Sequence, residues 1–241
     1  MKKTILSLAF VAMGVAAFAQ KPAAGDKTAE FNLNFQTGTS GVAYGLGATA
    51  LAGTPELRLR YFMADDMAIR LKIGMGMGTT TAQQTATIAG AEVTAETKTN
   101  SGFGLALTPG IEKHFAGSTK LSPYVGAELP IGFGTGATVE VSNGDNAAGT
   151  PTGSGDSYKS EGGSQFNLGL RLVLGADYYI ADGLYLGVEG GLGIFGMGST
   201  GDATVNSTTS TVKAPEIKTP GGSTFSLFGA MAGTVRLGYK F

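Results

Sequence analysis

The sequence predicts an all-β fold: an eight-stranded, antiparallel, up-and-down β-barrel that crosses a membrane, with short periplasmic turns and long extracellular loops. Three observations carry this. Apolar residues alternate with small or polar ones over long stretches, which is the period of a strand. The connections between those stretches are alternately short and long. Only 15% of the 241 residues are charged and mean hydropathy is +0.12, whereas a soluble domain carries about a quarter charged residues. Yet after residue 20 no apolar run approaches the roughly 20 residues of a membrane helix.

The chain opens MKKTILSLAFVAMGVAAFAQ. Lys2 and Lys3 precede an apolar stretch from Ile5 to Phe18, and Ala17 and Ala19 supply small residues at a cleavage site before Gln20. This is the pattern of a secretory signal peptide over residues 1–19. Its removal deletes two lysines and no acid, so the mature chain is more acidic than the formal −1 of the whole. Residues 20–27 then form a short periplasmic segment, and 28–241 the barrel, with no linker or second domain. With no Cys there is no disulfide framework, thiol nucleophile or lipid-modified N-terminal Cys. The near-neutral charge gives no pull toward nucleic acid.

Eight strands are expected at about 28–37, 54–63, 67–79, 101–115, 122–134, 164–180, 184–198 and 223–241. Ile69, Leu71, Ile73, Met75 and Met77 alternate with Arg70, Lys72 and three glycines. Phe166, Leu168, Leu170, Leu172 and Leu174 alternate with Asn167, Gly169, Arg171, Val173 and Gly175. The last strand ends VRLGYKF, with Val235, Leu237, Tyr239 and Phe241 on one face. Short turns fall at Ala64-Asp65-Asp66, Ala116–Leu121 and Ala181-Asp182-Gly183. Long, Thr-, Gly- and Ser-rich loops cover about 38–53, 80–100, 135–163 and 199–222. Within them TTTAQQTATIAGAEVTAETKTN (79–100) alternates around Gly90 and suits a hairpin above the membrane, and 204–219 suits a second. The even strand count puts both termini on the short-turn side, and pairing of first strand with last leaves no edge in lipid.

Which solvent each face meets follows from composition. A water-facing sheet surface would carry many Lys and Glu. Here the polar face is mostly Gly, Ala, Asn and Thr, which suits the narrow interior of an eight-stranded barrel. The apolar face carries Tyr61, Phe115, Tyr178, Tyr239 and Phe241 beside the short turns, and Phe35, Phe103, Phe133, Phe166 and Phe225 beside the long loops. Two aromatic belts mark a lipid-facing wall. The lumen should then hold Arg58, Arg60, Arg70, Lys72, Glu112, Glu128, Arg171, Asp177, Glu189 and Arg236. Arg60, Glu128, Arg171 and Glu189 are expected at mid-height, with Glu128 and Glu189 paired to some of Arg60, Arg70, Arg171 and Arg236, because buried charges persist when paired.

These features resemble the small outer-membrane β-barrels of the OmpA/OmpX transmembrane type, and the signal-peptide-bearing outer membrane beta-barrel family of Bacteroidota, whose leaders often end in Ala-Gln as Ala19-Gln20 does. The resemblance implies integral residence in the cell outer membrane of a Gram-negative bacterium, among outer-membrane lipid and lipopolysaccharide. It also implies that the terminal pattern Val235, Leu237, Tyr239 and Phe241 is read by the barrel-assembly machinery during insertion. The peptidoglycan-binding domain of some relatives is not expected.

Other chemistry is weak. His114, the single histidine, alternates with Glu112 and Thr108 and with no Ser, so a nucleophile-base pair and catalysis are not expected. GLGIFGMG (191–198) lacks the following helix of a nucleotide loop. No cluster has metal spacing, and Asp145 and Asp156 lack that of a calcium loop. The sequence therefore predicts no enzyme, no cofactor and no metal. It predicts a barrel plugged by charge pairs with a structural or cell-surface role toward an unidentified ligand. The alternatives are a narrow, porin-like ion or small-solute channel and, less favoured because the lumen is charged, a hydrophobic-compound transporter.

Overall fold

Alternation with a period of two lets each strand give one face to lipid and one to the lumen. The computed structural model describes residues 21–36, 56–100, 102–144, 148–152, 155–209, 212–229 and 231–241; the side chains of 33–36 are not among those described. The expected leader and the first long loop lie outside the described residues, as does the side chain of Phe35.

The strands are β1 (Lys27–Gln36), β2 (Glu56–Ala64), β3 (Met67–Gly76), β4 (Thr79–Ile88), β5 (Ala91–Asn100), β6 (Gly104–His114), β7 (Leu121–Glu128), β8 (Ile131–Gly134), β9 (Thr138–Ser142), β10 (Ser157–Glu161), β11 (Gln165–Tyr179), β12 (Leu184–Thr200), β13 (Ala203–Thr209), β14 (Val212–Lys213), β15 (Ile217–Thr219), β16 (Ser223–Leu227) and β17 (Met231–Lys240). Eight antiparallel staves make the wall, in the order β1, β2, β3, β6, β7 with β8, β11, β12, and β16 with β17. The wall closes where β1 pairs with β17, from Thr28↔Lys240 to Gln36↔Ala232.

Two of the expected strands are broken. Residues 122–134 divide at Leu129-Pro130, where Pro130 has no N–H for the ladder. The neighbours compensate: Leu129 N–H donates to Pro109 O and Gly169 N–H to Pro130 O. Residues 223–241 divide at Phe228, whose φ is +49°; its N–H reaches Ile194 O, across from the register shift between Leu170 and Arg171 in the β11–β12 ladder.

Exposure separates the faces. Leu174 is 67% exposed on the outer wall, and Glu30, three staves away on β1, is 1% exposed. Tyr61, Phe115, Tyr178, Tyr239 and Phe241 ring the short-turn end, and Phe103, Phe133, Phe166 and Phe225 ring the long-loop end, all on the outside. Among the described residues no helix is long and apolar enough to cross a membrane, which is immaterial to a barrel.

A second sheet, β14-β13-β10-β9-β5-β4 with β15 on β13, stands beyond the long-loop end. The β4–β5 hairpin turns at Ala89 and Gly90, both with positive φ, as a two-residue primed turn needs. This sheet repeats the order of the wall. β4, β9 and β13 continue from β3, β8 and β12, and β5, β10 and β15 lead back into β6, β11 and β16, across breaks of two or three residues. The breaks are glycine crossings. A Cβ on Gly136 would strike the backbone of Gly162, and one on Gly163 that of Gly201. Hydrogen bonds cross the gap, from Gly162 N–H to Ala137 O and from Gly201 N–H to Ser164 O, so the backbone bends without losing its ladder.

Candidate functional site

The barrel interior is the candidate site, and it has three levels. At the short-turn end lies an aromatic floor. Phe62 and His114 have ring centroids 5.3 Å apart, His114 and Tyr124 5.1 Å, and Tyr179 and Tyr185 5.2 Å. Guanidinium groups stack on it, Arg60 over Phe62 and Tyr185 and Arg236 over Tyr124. This geometry suits the negative face of an aromatic ring.

Above the floor is a continuous block of charge. Glu30 meets Arg58 at 2.5 Å, Arg60 at 2.6 Å and Arg236 at 3.4 Å. Glu112 meets Arg60 at 2.7 Å and Arg70 at 2.9 Å. Glu128 bonds Arg70 and Arg171 and lies 3.0 Å from Lys72. Asp177 lies 2.6 Å from Arg236 and 2.8 Å from Arg60. Glu189 lies 2.8 Å from both Arg58 and Arg70, and accepts from the Tyr124 hydroxyl at 2.6 Å. Each acid thus has at least two cationic partners, which is what burial of charge requires.

Glycine makes room for this in so narrow a barrel. Along parts of the cross-strand rows an inward glycine separates large residues, as in Arg70, Gly110, Glu128 and Asp177, Gly187, Arg236. A Cβ on Gly187 would stand 2.6 Å from both Arg236 and Asp177, and one on Gly110 would stand 3.0 Å from Glu128. Tyr124 and Tyr185 lie over Gly175 and Gly238 in the same way. Above the charge block the inward positions are small, among them Gly74, Ala106, Gly132, Gly169 and Gly196.

All ten expected lumen charges, Arg58, Arg60, Arg70, Lys72, Glu112, Glu128, Arg171, Asp177, Glu189 and Arg236, face inward and join this block. Arg60 departs from its expected mid-height, because its Cα is level with Thr28 near the short-turn end and its guanidinium rests on the floor. Its partners are Glu30, Glu112 and Asp177 rather than Glu128 or Glu189. Sequence reasoning missed Glu30, an acid with three arginine partners. The signal was present, since Thr28, Glu30 and Asn32 alternate with Phe31. It also missed Tyr124 and Tyr185, which alternate with Glu128 and Glu189.

No Ser alternates with His114 along its own strand, but one reaches it across strands. Ser122 comes from the neighbouring strand, through the pairing His114↔Tyr124. Its Oγ is 2.8 Å from His114 Nδ1, and His114 Nε2 is 3.0 Å from Glu112. Both border a small vestibule of about 230 Å³ at the short-turn mouth, with Lys21, Asp65 and Asp66. Among the described residues no group of three or more His, Cys, Asp or Glu is arranged to hold a metal. Val235, Leu237, Tyr239 and Phe241 are exposed on the outer wall, while Lys240 turns back to pair with Asp26 at 3.3 Å.

The family model of OmpA-OmpF-like porins matches residues 48–191. The chain belongs to the OmpA-OmpF-like porin family. As an outer-membrane barrel of this family it is similar in fold to several solved structures. The N-terminal β-barrel domain of Pseudomonas aeruginosa OprF is 13% identical, with 91% of this chain and 100% of that one covered and a TM-score of 0.41. The outer membrane protein OprG of the same organism is 14% identical, with 93% and 99% covered and a TM-score of 0.41. The outer membrane protease OmpT of Escherichia coli is 9% identical, with 91% and 94% covered and a TM-score of 0.42. Among curated protein sequences no match was found.

Proposed function

We propose that the protein is an integral component of a Gram-negative outer membrane, with its lumen held shut and its role structural or at the cell surface. The observation that carries this is the charge block, in which every acid is held by at least two cations above an aromatic floor. The sheet built by the long loops is then the part that meets an outside ligand, since loops on a rigid scaffold carry recognition. Lipid and lipopolysaccharide surround the wall, and Phe241 with Val235, Leu237 and Tyr239 serves the assembly machinery. The test is a planar-bilayer recording of the refolded barrel. No steady conductance is expected, and a stable open level in the wild type would overturn the closed lumen.

A second reading, a narrow gated channel, draws on one feature. Arg70 and Lys72 each reach both Glu128 and Glu189, so a shift of partners needs no unpaired charge. Charge swaps at Lys72 that create conductance steps would favour it. The Ser122–His114–Glu112 chain is assigned to the floor, as a satisfied hydrogen-bond relay whose Glu112 is already committed to Arg60 and Arg70. The protein is therefore read as non-catalytic. A fluorophosphonate probe should leave Ser122 unlabelled in the folded barrel; labelling lost in His114→Ala would reverse this.

A further inference from the structure

The outer wall carries a groove of about 810 Å³ whose lining is almost wholly apolar. It follows two neighbouring cross-strand rows. One runs Met67, Lys113, Val125, Leu174, Gly190 across β3, β6, β7, β11 and β12. The other runs Ile111, Ala127, Leu172, Leu192, Met231. Because strands in a barrel tilt by about 35–45°, such a row climbs obliquely through the belt. Four interstrand steps of about 4.8 Å make the first row roughly 19 Å long. Small side chains form its bed. Gly190 has nothing within 4 Å of where its Cβ would stand, and Ala127 lies between Ile111 and Leu172.

The low end of the groove is not apolar. Lys113 faces outward there and pairs with Asp66 of the adjoining turn, and both side chains are about half exposed, 48% and 52%. An exposed cation and anion side by side at the short-turn interface, opening into a hydrocarbon-lined furrow, match a zwitterionic phospholipid. The phosphate faces Lys113, the head ammonium faces Asp66, and one acyl chain lies along the groove. A primary ammonium donates hydrogen bonds to a carboxylate, and a quaternary one has no N–H to give.

We infer that this groove is a binding site for one phospholipid of the ethanolamine class in the periplasmic leaflet. The inference rests on the membrane placement proposed above and adds a specific lipid to it. The charge pair and the groove are continuous with the belt, so the occupant is lipid rather than solvent.

Native mass spectrometry of the detergent-extracted barrel, titrated with phosphatidylethanolamine or phosphatidylcholine, tests it. A one-to-one adduct is expected, with phosphatidylethanolamine retained at lower concentration. Filling the groove with Ala127→Leu plus Gly190→Leu should weaken that adduct by about tenfold, or 1.4 kcal/mol. Asp66→Asn plus Lys113→Gln should erase the preference between the two lipids while leaving some acyl binding. Equal retention of both lipids by the wild type, undiminished binding by the filled groove, or a barrel dimer that the filling abolishes would each overturn the site. These substitutions face outward, and a heat-modifiability gel on the same samples verifies a closed barrel. Recovery of the protein from the soluble periplasm would instead overturn the membrane placement itself.

Discussion

Six of the eight staves continue past the rim, and the two parts of the molecule obey different rules. Within the wall, large aliphatic side chains point out, charges other than Lys113 near the short-turn rim point in, and closure of β1 on β17 leaves no free edge. Beyond the glycine crossings the strands read TTTAQQTATI, TVEVS, SYKSE and ATVNSTT, and charge returns to the surface. Ion pairs there, such as Lys159 with Glu140 at 3.4 Å and Glu161 at 2.7 Å, are about half exposed. Buried apolar residues dwindle to a small nucleus around Ala95 and Val141, against which Gly144 packs. The lesson is that hydrogen-bond order can be shared across the rim while the energetic source changes. Dry charge and closure hold the wall, and ladder bonds with water at hand hold the extension.

Matched substitutions in the wall and in the extension test this contrast. The largest effect is expected for Glu30→Gln, which leaves three arginines short of an acid and should cost about 3–5 kcal/mol. Glu96→Gln in β5, exposed, should change stability by no more than about 0.5 kcal/mol. Urea titration of the refolded barrel compares them, and equal midpoints would remove the distinction between dry and wet charge.

Next is the outer face. Val188→Arg, 58% exposed on the wall, should cost about 2–4 kcal/mol in a bilayer if its position is central and less toward the interfaces. Thr85→Arg on the exposed β4 should be nearly neutral. Unfolding in lipid vesicles gives the difference, and a penalty for Thr85→Arg as large as that for Val188→Arg would mean that the extension also meets lipid.

A smaller, local effect is expected at the seam. Ala at Gly136 or Gly163 would push crossing backbones apart, at a cost of about 1–3 kcal/mol, but chiefly to the extension. Limited proteolysis should cut within 79–100 faster while the heat-shifted gel band of the barrel persists. Loss of the band would mean that seam and wall fold as one.

The smallest effect is acid loosening of β10. The hydrogen bond from Lys159 holds the Glu161 carboxyl below its usual range. The stabilisation is therefore present above the unfolded carboxylate pKa of about 4.3 and lost as pH falls through the lower, folded value. Lys159, raised chiefly by its bond to Glu161, keeps its contribution until alkaline pH. Hydrogen exchange of β10 amides should quicken, beyond the intrinsic rate change, between pH 5 and pH 3, roughly the carboxylate range, with the wall unaffected.

Much of the wall was legible because one rule, alternation, fixes both strand and face. Phe166, Leu168, Leu170, Leu172 and Leu174 could hardly be read otherwise, and the ten lumen charges followed from parity alone. Parity does not say who meets whom. That depends on register and tilt: of the four arginines offered to Glu128 and Glu189, Arg70, Arg171 and Arg236 reach them, while Arg60 lies beside Glu30 and Asp177. Ser122 escaped notice for the same reason: its contact with His114 crosses strands, and sequence spacing along one strand cannot reveal it. The hairpin around Gly90 was visible in its own alternation. The pairing of β9 and β10 was not, because those five-residue strands sit between Gly- and Ser-rich segments and gain their order from neighbours far along the chain.

Glu30 and Arg236 meet at 3.4 Å although 206 positions separate them along the chain. Arg236 also holds Asp177. During biogenesis, a seven-stave intermediate would present Glu30 and Asp177 along an open seam, left to Arg58 and Arg60 with their shared Arg236 still to arrive, and incompletely neutralised carboxylates are poorly tolerated against hydrocarbon. The final strand therefore brings a counter-charge as well as a ladder. Insertion should then commit late and all at once, and a chain stalled before residue 236 would be held out of the bilayer by its own interior.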